Sequence, residues 1–220
     1  MIPLRDIIPS RTTPVVTVAI IVLNALAWLY EISLPEGSLQ QLIRSWGVVP
    51  AALQTPALFS SMFLHGSWSH VIGNMWYLWI FGDNVEDRMG HGRFIVFYLL
   101  CGVGAALGHV FVEPSSFVPT IGASGAIAGV MGAYFVLYPH SKVLTLIPLI
   151  IFWDVIELPA VLLLGFWFVM QLFNAGAIAV TSSAVNGGGV AFMAHVAGFV
   201  AGAAGVFVFR KRQPPAEWMY

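Results

Sequence analysis

The run Thr120-Ile121-Gly122-Ala123-Ser124-Gly125-Ala126-Ile127-Ala128-Gly129 places a serine at the start of an apolar stretch typical of a membrane span. A histidine, His195, lies the same short distance into another apolar stretch near the C-terminus. A hydroxyl is a weak nucleophile until a base takes its proton, and histidine is a common base for this purpose. The two positions therefore suggest a nucleophile and its base working inside a bilayer.

The composition is that of a membrane protein. Hydrophobic residues make up 59% of the 220 residues and charged residues only 9%, whereas soluble domains carry about 25% charged residues. A soluble fold of this size could not bury so much apolar surface. The net charge of −1 gives no indication of nucleic acid as a partner, and the single cysteine, Cys101, excludes a disulfide framework within the chain.

Six apolar stretches are candidates for membrane spans, which need roughly 20 residues each. The second is short, and we expect it to continue into Asp83–Met89. With six spans, eight of the nine Lys and Arg residues fall on the side of both termini, and only Arg44 falls opposite. This asymmetry predicts cytoplasmic termini. The six stretches are Pro14–Ile32, His70–Gly82, Phe94–Val112, Gly122–Tyr138, Leu158–Val180 and Val190–Phe209.

Two segments between the stretches need separate interpretation. With six spans and cytoplasmic termini, Pro35–Ser69 is an outer loop. The helical spacing of its apolar residues between Leu39 and Trp46 predicts an interfacial amphipathic helix. Val143–Trp153 is apolar but too short to cross and is broken by Pro148, so we expect a cytoplasmic interfacial loop, with a seventh span as the less favoured alternative. We predict an all-α membrane protein with a cytoplasmic segment at 1–13, a six-helix domain at 14–209 and a basic cytoplasmic tail at 210–220.

The reactive side chains cluster at one depth, because the second, fourth and sixth spans all run inward. His70 and Asn74 stand four residues apart and share one helix face. An interhelical hydrogen-bond clamp is the alternative interpretation of that pair. The fourth and sixth spans carry small residues four apart, at Gly125 and Gly129 and at Gly198 and Gly202, which favours close helix approach. Such an approach would bring the serine hydroxyl within reach of the imidazole.

An oxyanion formed by attack of Ser124 has candidate donors nearby. Amides at a helix N-terminus are unpaired and partly positive, and His70 and Asn74 add side-chain donors. No acidic residue lies beside His195 in the outer half of any span. We therefore expect a Ser–His dyad rather than a triad, with no cofactor and no metal ion.

At this point the chain resembles the rhomboid intramembrane serine proteases. The resemblance rests on Gly122-Ala123-Ser124-Gly125, on His70-x-x-x-Asn74 and on Ala194-His195-x-x-Gly198-x-x-x-Gly202, in the right order and spans. It also covers Trp46-Gly47-Val48-Val49-Pro50 and the motifs on either side of the second span, Phe63-Leu64-His65-Gly66-Ser67-Trp68 and Gly82-Asp83-Asn84-Val85-Glu86-Asp87.

The resemblance implies a six-helix rhomboid-like fold with a water-accessible cavity open to the outside. It implies Ser124 as nucleophile, His195 as general base, and His70, Asn74 and the Ser124 amide as oxyanion donors. The implied partners are transmembrane protein substrates and membrane lipid. A bare six-helix core looks more like a bacterial member, which would place the chain in the cytoplasmic (inner) membrane.

Rival functions stay open on the sequence alone. A protein of this fold that binds client helices without cutting them is the main rival. A transporter is less favoured, because neither paired halves nor midplane charges are present. For the enzyme, the end of the fifth span and the glycine-rich loop Thr181–Gly189 are predicted to form a movable cover of the site. The substrate and the oligomeric state are not given by the sequence.

Overall fold

The computed structural model describes residues 1–148, 153–181 and 191–211. Over these ranges the chain forms eight α-helices and three β-strands. In chain order they are β1 (Ile2–Asp6), α1 (Val15–Ser33), α2 (Glu36–Trp46), α3 (Ala57–Ser60), α4 (Trp68–Met89), α5 (His91–Val112), α6 (Ser124–Leu137), β2 (Lys142–Pro148), β3 (Trp153–Pro159), α7 (Ala160–Thr181) and α8 (Phe192–Phe209).

The six longest helices, α1, α4, α5, α6, α7 and α8, coincide with the six predicted apolar stretches. Four of them, α1, α5, α7 and α8, are long and apolar enough to cross a membrane. The expected extension of the second stretch is confirmed, because α4 continues to Met89. The chain is therefore a mainly helical integral membrane protein, and the count of six spans stays a prediction. A helix also forms in the expected part of the first loop, as α2, and its interfacial position is likewise a prediction.

The shortest of these six helices, α6, is the central one. Its ten residues from Gly125 to Tyr134 are all buried, because α4, α5, α7 and α8 all pack around it. It is eight residues shorter than α4 or α5, a difference of about 12 Å at 1.5 Å per residue. A helix of this length is shorter than the roughly 20 residues that a full membrane span needs. Its first residue, Ser124, opens into a cavity.

Helices α4, α6 and α8 begin at the end of the bundle that holds Ser124. Helices α1, α5 and α7 run the opposite way. At the other end, the carboxylate of Glu86 near the end of α4 accepts hydrogen bonds from the backbone amides of Val16 and Thr17, at 2.9 and 2.8 Å. It thereby satisfies unpaired donors at the start of α1. Glu86 also contacts Nδ1 of His91 at 2.5 Å.

A three-stranded antiparallel sheet corrects the all-α prediction. The strands lie in the order β1-β2-β3. Val143–Pro148 and Trp153 therefore lie in strands rather than in the predicted loop. Only residues 149–152 separate β2 from β3, which is too few for a seventh helical span. Alternation explains the strand, since Val143 and Thr145 are buried while Lys142 is exposed. The partner strand β1 lies some 140 residues earlier in the chain, and no local sequence pattern predicts such a pairing. The sheet packs against α4 and α7.

Two predicted segments fall wholly or partly outside the described residues. The proposed cover, Thr181–Gly189, lies outside them from residue 182 onward. The predicted basic tail at 210–220 lies outside them from residue 212 onward.

Candidate active site

Ser124 and His195 are in direct contact. The Nε2 atom of His195, on α8, lies 2.8 Å from the Oγ atom of Ser124, the first residue of α6. The turn into α6 depends on Gly122, whose φ of 126° is a conformation that side-chain-bearing residues rarely adopt. The two residues singled out from the sequence are thus placed together in hydrogen-bond geometry.

The contact exists because α6 and α8 touch backbone to backbone. A methyl group added at Gly198 would lie 2.1 Å from the carbonyl oxygen of Gly125, and one added at Gly202 would lie 1.8 Å from that of Gly129. These distances are far below van der Waals contact, so only hydrogen fits at both positions. The expectation of close approach between these small-residue rows is confirmed.

The second nitrogen of the imidazole has a partner that was not anticipated from the sequence. The Nδ1 atom of His195 lies 2.9 Å from Oε1 of Gln171 on α7. One turn earlier on the same helix, the Trp167 ring lies beside the imidazole, with centroids 5.8 Å apart and planes at 36°. The available signal was a side-chain amide within an apolar stretch, four residues from a tryptophan and therefore on the same helix face.

His70 and Asn74 approach the backbone just before Ser124. A Cβ atom built on Gly122 would lie 2.7 Å from Nε2 of His70 and 3.7 Å from Nδ2 of Asn74. The Nδ1 atom of His70 accepts a hydrogen bond from the Gly66 amide at 3.4 Å. The ring proton therefore belongs on Nε2, which makes that atom a donor directed toward the segment that leads into Ser124.

His65 holds Asn74 in place. Its Nε2 atom lies 3.0 Å from Nδ2 of Asn74, and its backbone amide donates to the buried Glu31 carboxylate at 3.1 Å. Burial lowers the pKa of His65 to about 4, with the neighbouring His70 contributing in the same direction. The ring is therefore neutral at physiological pH, and its Nε2 can accept from the amide. His65 thus positions the Asn74 side chain, a role that its sequence position alone did not reveal.

Ser124, His195, His70 and Asn74 open onto one cavity of about 830 Å³. Ser124 and His195 share its wall with small residues such as Gly125, Ala105 and Ala194. Part of the wall is polar, although the surrounding bundle is apolar, so the cavity offers water several hydrogen-bond partners. The polar side chains include Ser61, Ser67, Ser69, His70, Asn74, His109, Ser116 and Thr120.

Comparison with known proteins gives a consistent picture. A family model described as the Rhomboid domain matches residues 52–212. The chloroplast rhomboid-like protein 11 of Arabidopsis thaliana is 32% identical over 157 residues, which cover 69% of this chain and 51% of that protein. The mitochondrial rhomboid protein 1 of Saccharomyces cerevisiae is 30% identical over 92 residues, covering 40% of this chain and 27% of that protein.

A bacterial relative also matches. The rhomboid protease GluP of Bacillus subtilis is 37% identical over 76 residues, which cover 34% of this chain and 14% of that protein. The chain therefore spans about half the length of the chloroplast relative and less of the other two.

Proposed function

The chain belongs to the rhomboid family, and from that premise we propose that it is an intramembrane serine endopeptidase. It cleaves transmembrane protein substrates near the outer face of the bilayer with a Ser124–His195 dyad. The observation that carries the proposal is the 2.8 Å contact between Nε2 of His195 and Oγ of Ser124 within a partly polar cavity. A hydrogen-bonded serine and imidazole of this kind are the parts that nucleophilic acyl transfer requires.

In the first half of the reaction, Oγ of Ser124 attacks the substrate carbonyl carbon while Nε2 of His195 takes the hydroxyl proton. The tetrahedral intermediate carries its negative charge on the former carbonyl oxygen. The Ser124 backbone amide at the start of α6, Nε2–H of His70 and Nδ2–H of Asn74 donate to that oxygen. The imidazolium then protonates the leaving amine, which departs and leaves an ester on Ser124.

In the second half, water from the cavity attacks that ester and His195 takes its proton. The oxyanion is held by the same donors, and His195 returns the proton to Oγ of Ser124 as the acid product leaves. The polar wall of the cavity supports this step, because it offers hydrogen-bond partners to water inside an otherwise apolar bundle.

Labelling with a fluorophosphonate probe separates this proposal from its rival, a rhomboid-like protein that binds client transmembrane helices without cutting them. The purified protein is expected to be labelled, and labelling is expected to disappear in Ser124→Ala. Ser69→Ala is the matched control, because it removes another hydroxyl of the same cavity wall and is expected to leave labelling intact. An unlabelled wild-type protein that retains bound client helices would favour the rival.

We place the six helices α1, α4, α5, α6, α7 and α8 across a bacterial cytoplasmic membrane, with both termini on the cytoplasmic side. The Lys and Arg asymmetry of eight to one supports this orientation. A cysteine at the exposed Gly37 should react with an impermeant reagent added to intact cells, and one at the exposed His140 should not. The background is Cys101→Ala, which removes the native cysteine. External labelling at position 140 would contradict the span count.

A further inference from the structure

Helix α7 carries a buried amide that the dyad chemistry alone does not use. Gln171 is 8% exposed, in a helix whose composition is that of a membrane span. A polar side chain at such a position is costly unless it meets a partner. Its partner is Nδ1 of His195, at 2.9 Å from Oε1.

The contact favours one of the two imidazole tautomers. An imidazole that accepts the Ser124 proton through Nε2 must hold its own proton on Nδ1. An amide oxygen can only accept, so Oε1 of Gln171 stabilises the tautomer with the proton on Nδ1. It thereby leaves the Nε2 lone pair directed at Ser124, 2.8 Å away.

Trp167 adds a second restraint from the same helix face. Its ring lies 5.8 Å from the imidazole centroid, one turn before Gln171. The tryptophan limits tilting of the imidazole plane, and the glutamine limits rotation of the ring about its bond to the chain. Two contacts of different kinds therefore fix one ring from α7, although the ring itself belongs to α8.

We propose that Gln171 is a positioning residue that sets the tautomer and orientation of His195. The proposal rests on the proposed peptidase function for its consequence, since a wrongly protonated base cannot take the serine proton. The proposal further means that the base is fully competent only while α7 lies against α8. Any motion of α7 that separates Gln171 from His195 would weaken the base.

The test combines a tautomer measurement with kinetics. In ¹⁵N-histidine-labelled protein, the ring signal of His195 is assigned among the six histidines by its loss in His195→Ala. Wild type is expected to carry the proton on Nδ1. Gln171→Met keeps the side-chain length and removes the acceptor, so the signal should move toward the Nε2–H tautomer. The kcat should fall by about 10- to 1000-fold with KM nearly unchanged, because a tautomer fault acts on the chemical step.

Two further variants make the test specific. Gln171→Glu keeps an acceptor oxygen and is expected to restore the Nδ1–H tautomer and to bring kcat within about tenfold of wild type. Asn174→Leu is the control, because it removes the next side-chain amide on α7. Both nitrogens of His195 already contact Gln171 and Ser124, so the His195 tautomer and the kcat should stay as in wild type.

The outcomes separate the two proposals. A wild-type His195 protonated on Nε2, or a folded Gln171→Met that keeps both the tautomer and the kcat, would overturn the positioning role. Wild type with the Nδ1–H tautomer but no cleavage of any transmembrane substrate would overturn the peptidase function and leave the positioning role standing.

Discussion

Ser124→Ala and His195→Ala are each expected to abolish proteolysis, and the double variant is expected to be no worse than either single one. The two side chains share one hydrogen bond of 2.8 Å and act in one proton transfer. Removing either leaves the other without its function, so the losses do not multiply. The measurement is the rate of cleavage of a transmembrane substrate by purified protein in liposomes, compared with substrate alone.

Folding controls decide whether these losses are catalytic. Both variants should keep thermal unfolding close to that of wild type, because α6 and α8 pack through glycine rows rather than through this pair. Ser69→Ala should cleave at the wild-type rate. If the two single variants retain measurable activity and the double variant multiplies their losses, the residues act independently and the dyad assignment is wrong.

The proposed oxyanion donors should give a smaller effect in the same assay. His70→Ala or Asn74→Ala is expected to lower kcat by about 10- to 1000-fold, the scale for one donor. Asn74→Ala also removes the partner of the His65 ring, so its unfolding must be measured beside its activity. Complete loss in a folded His70→Ala would instead make His70 the base.

The sequence predicted the core of the candidate site because its signals are local. Ser124 and His195 are recognisable from their depth in apolar stretches, and the i,i+4 spacing of His70 and Asn74 fixes a shared helix face. Glycine rows predict close helix contact for a physical reason that needs no structure. Each of these inferences uses distances along a single helix.

The missed features all depend on how separate elements are placed. Gln171 contacts His195 only because α7 is rotated with that face toward α8, and helix rotation is not encoded in a short pattern. The sheet pairs β1 with a strand some 140 residues away, so its partner could not be found from local alternation. The reacting groups were thus identifiable from the sequence. The residues that hold the imidazole, Gln171 and Trp167, depend on how α7 packs against α8.

Gly198→Ala is expected to lower kcat by at least about 100-fold, although the residue touches no substrate. The new methyl carbon would lie 2.1 Å from the Gly125 carbonyl oxygen, whereas close carbon–oxygen contacts are normally about 3.3 Å or longer. The obstacle is backbone, so no side-chain rotation can relieve it, and α6 and α8 must separate by roughly 1 Å. A misplacement of that size can cost about 100-fold in rate.

The location of the clash explains why activity should suffer more than stability. Gly125 directly follows Ser124, and Gly198 is three residues after His195, so separation there stretches the catalytic hydrogen bond itself. Overpacking costs about 1–3 kcal/mol, and thermal unfolding should register that loss. Gly202→Ala creates an even closer clash, 1.8 Å from the Gly129 oxygen, but one turn further from the dyad. Gly202→Ala should therefore lower the free energy of unfolding at least as much as Gly198→Ala does. Its loss of kcat should be smaller.

Gly104→Ala provides the matched control, because it makes the same substitution on α5 toward the same helix, α8. Its methyl group would lie 3.5 Å from Cβ of Ala201, an ordinary contact, so kcat and unfolding should stay near wild type. If Gly198→Ala behaved like this control, α6 and α8 would have room for a methyl group. The 2.8 Å contact between His195 and Ser124 would then not depend on glycine, and the physical account of how this bundle brings its two reactive residues together would be wrong.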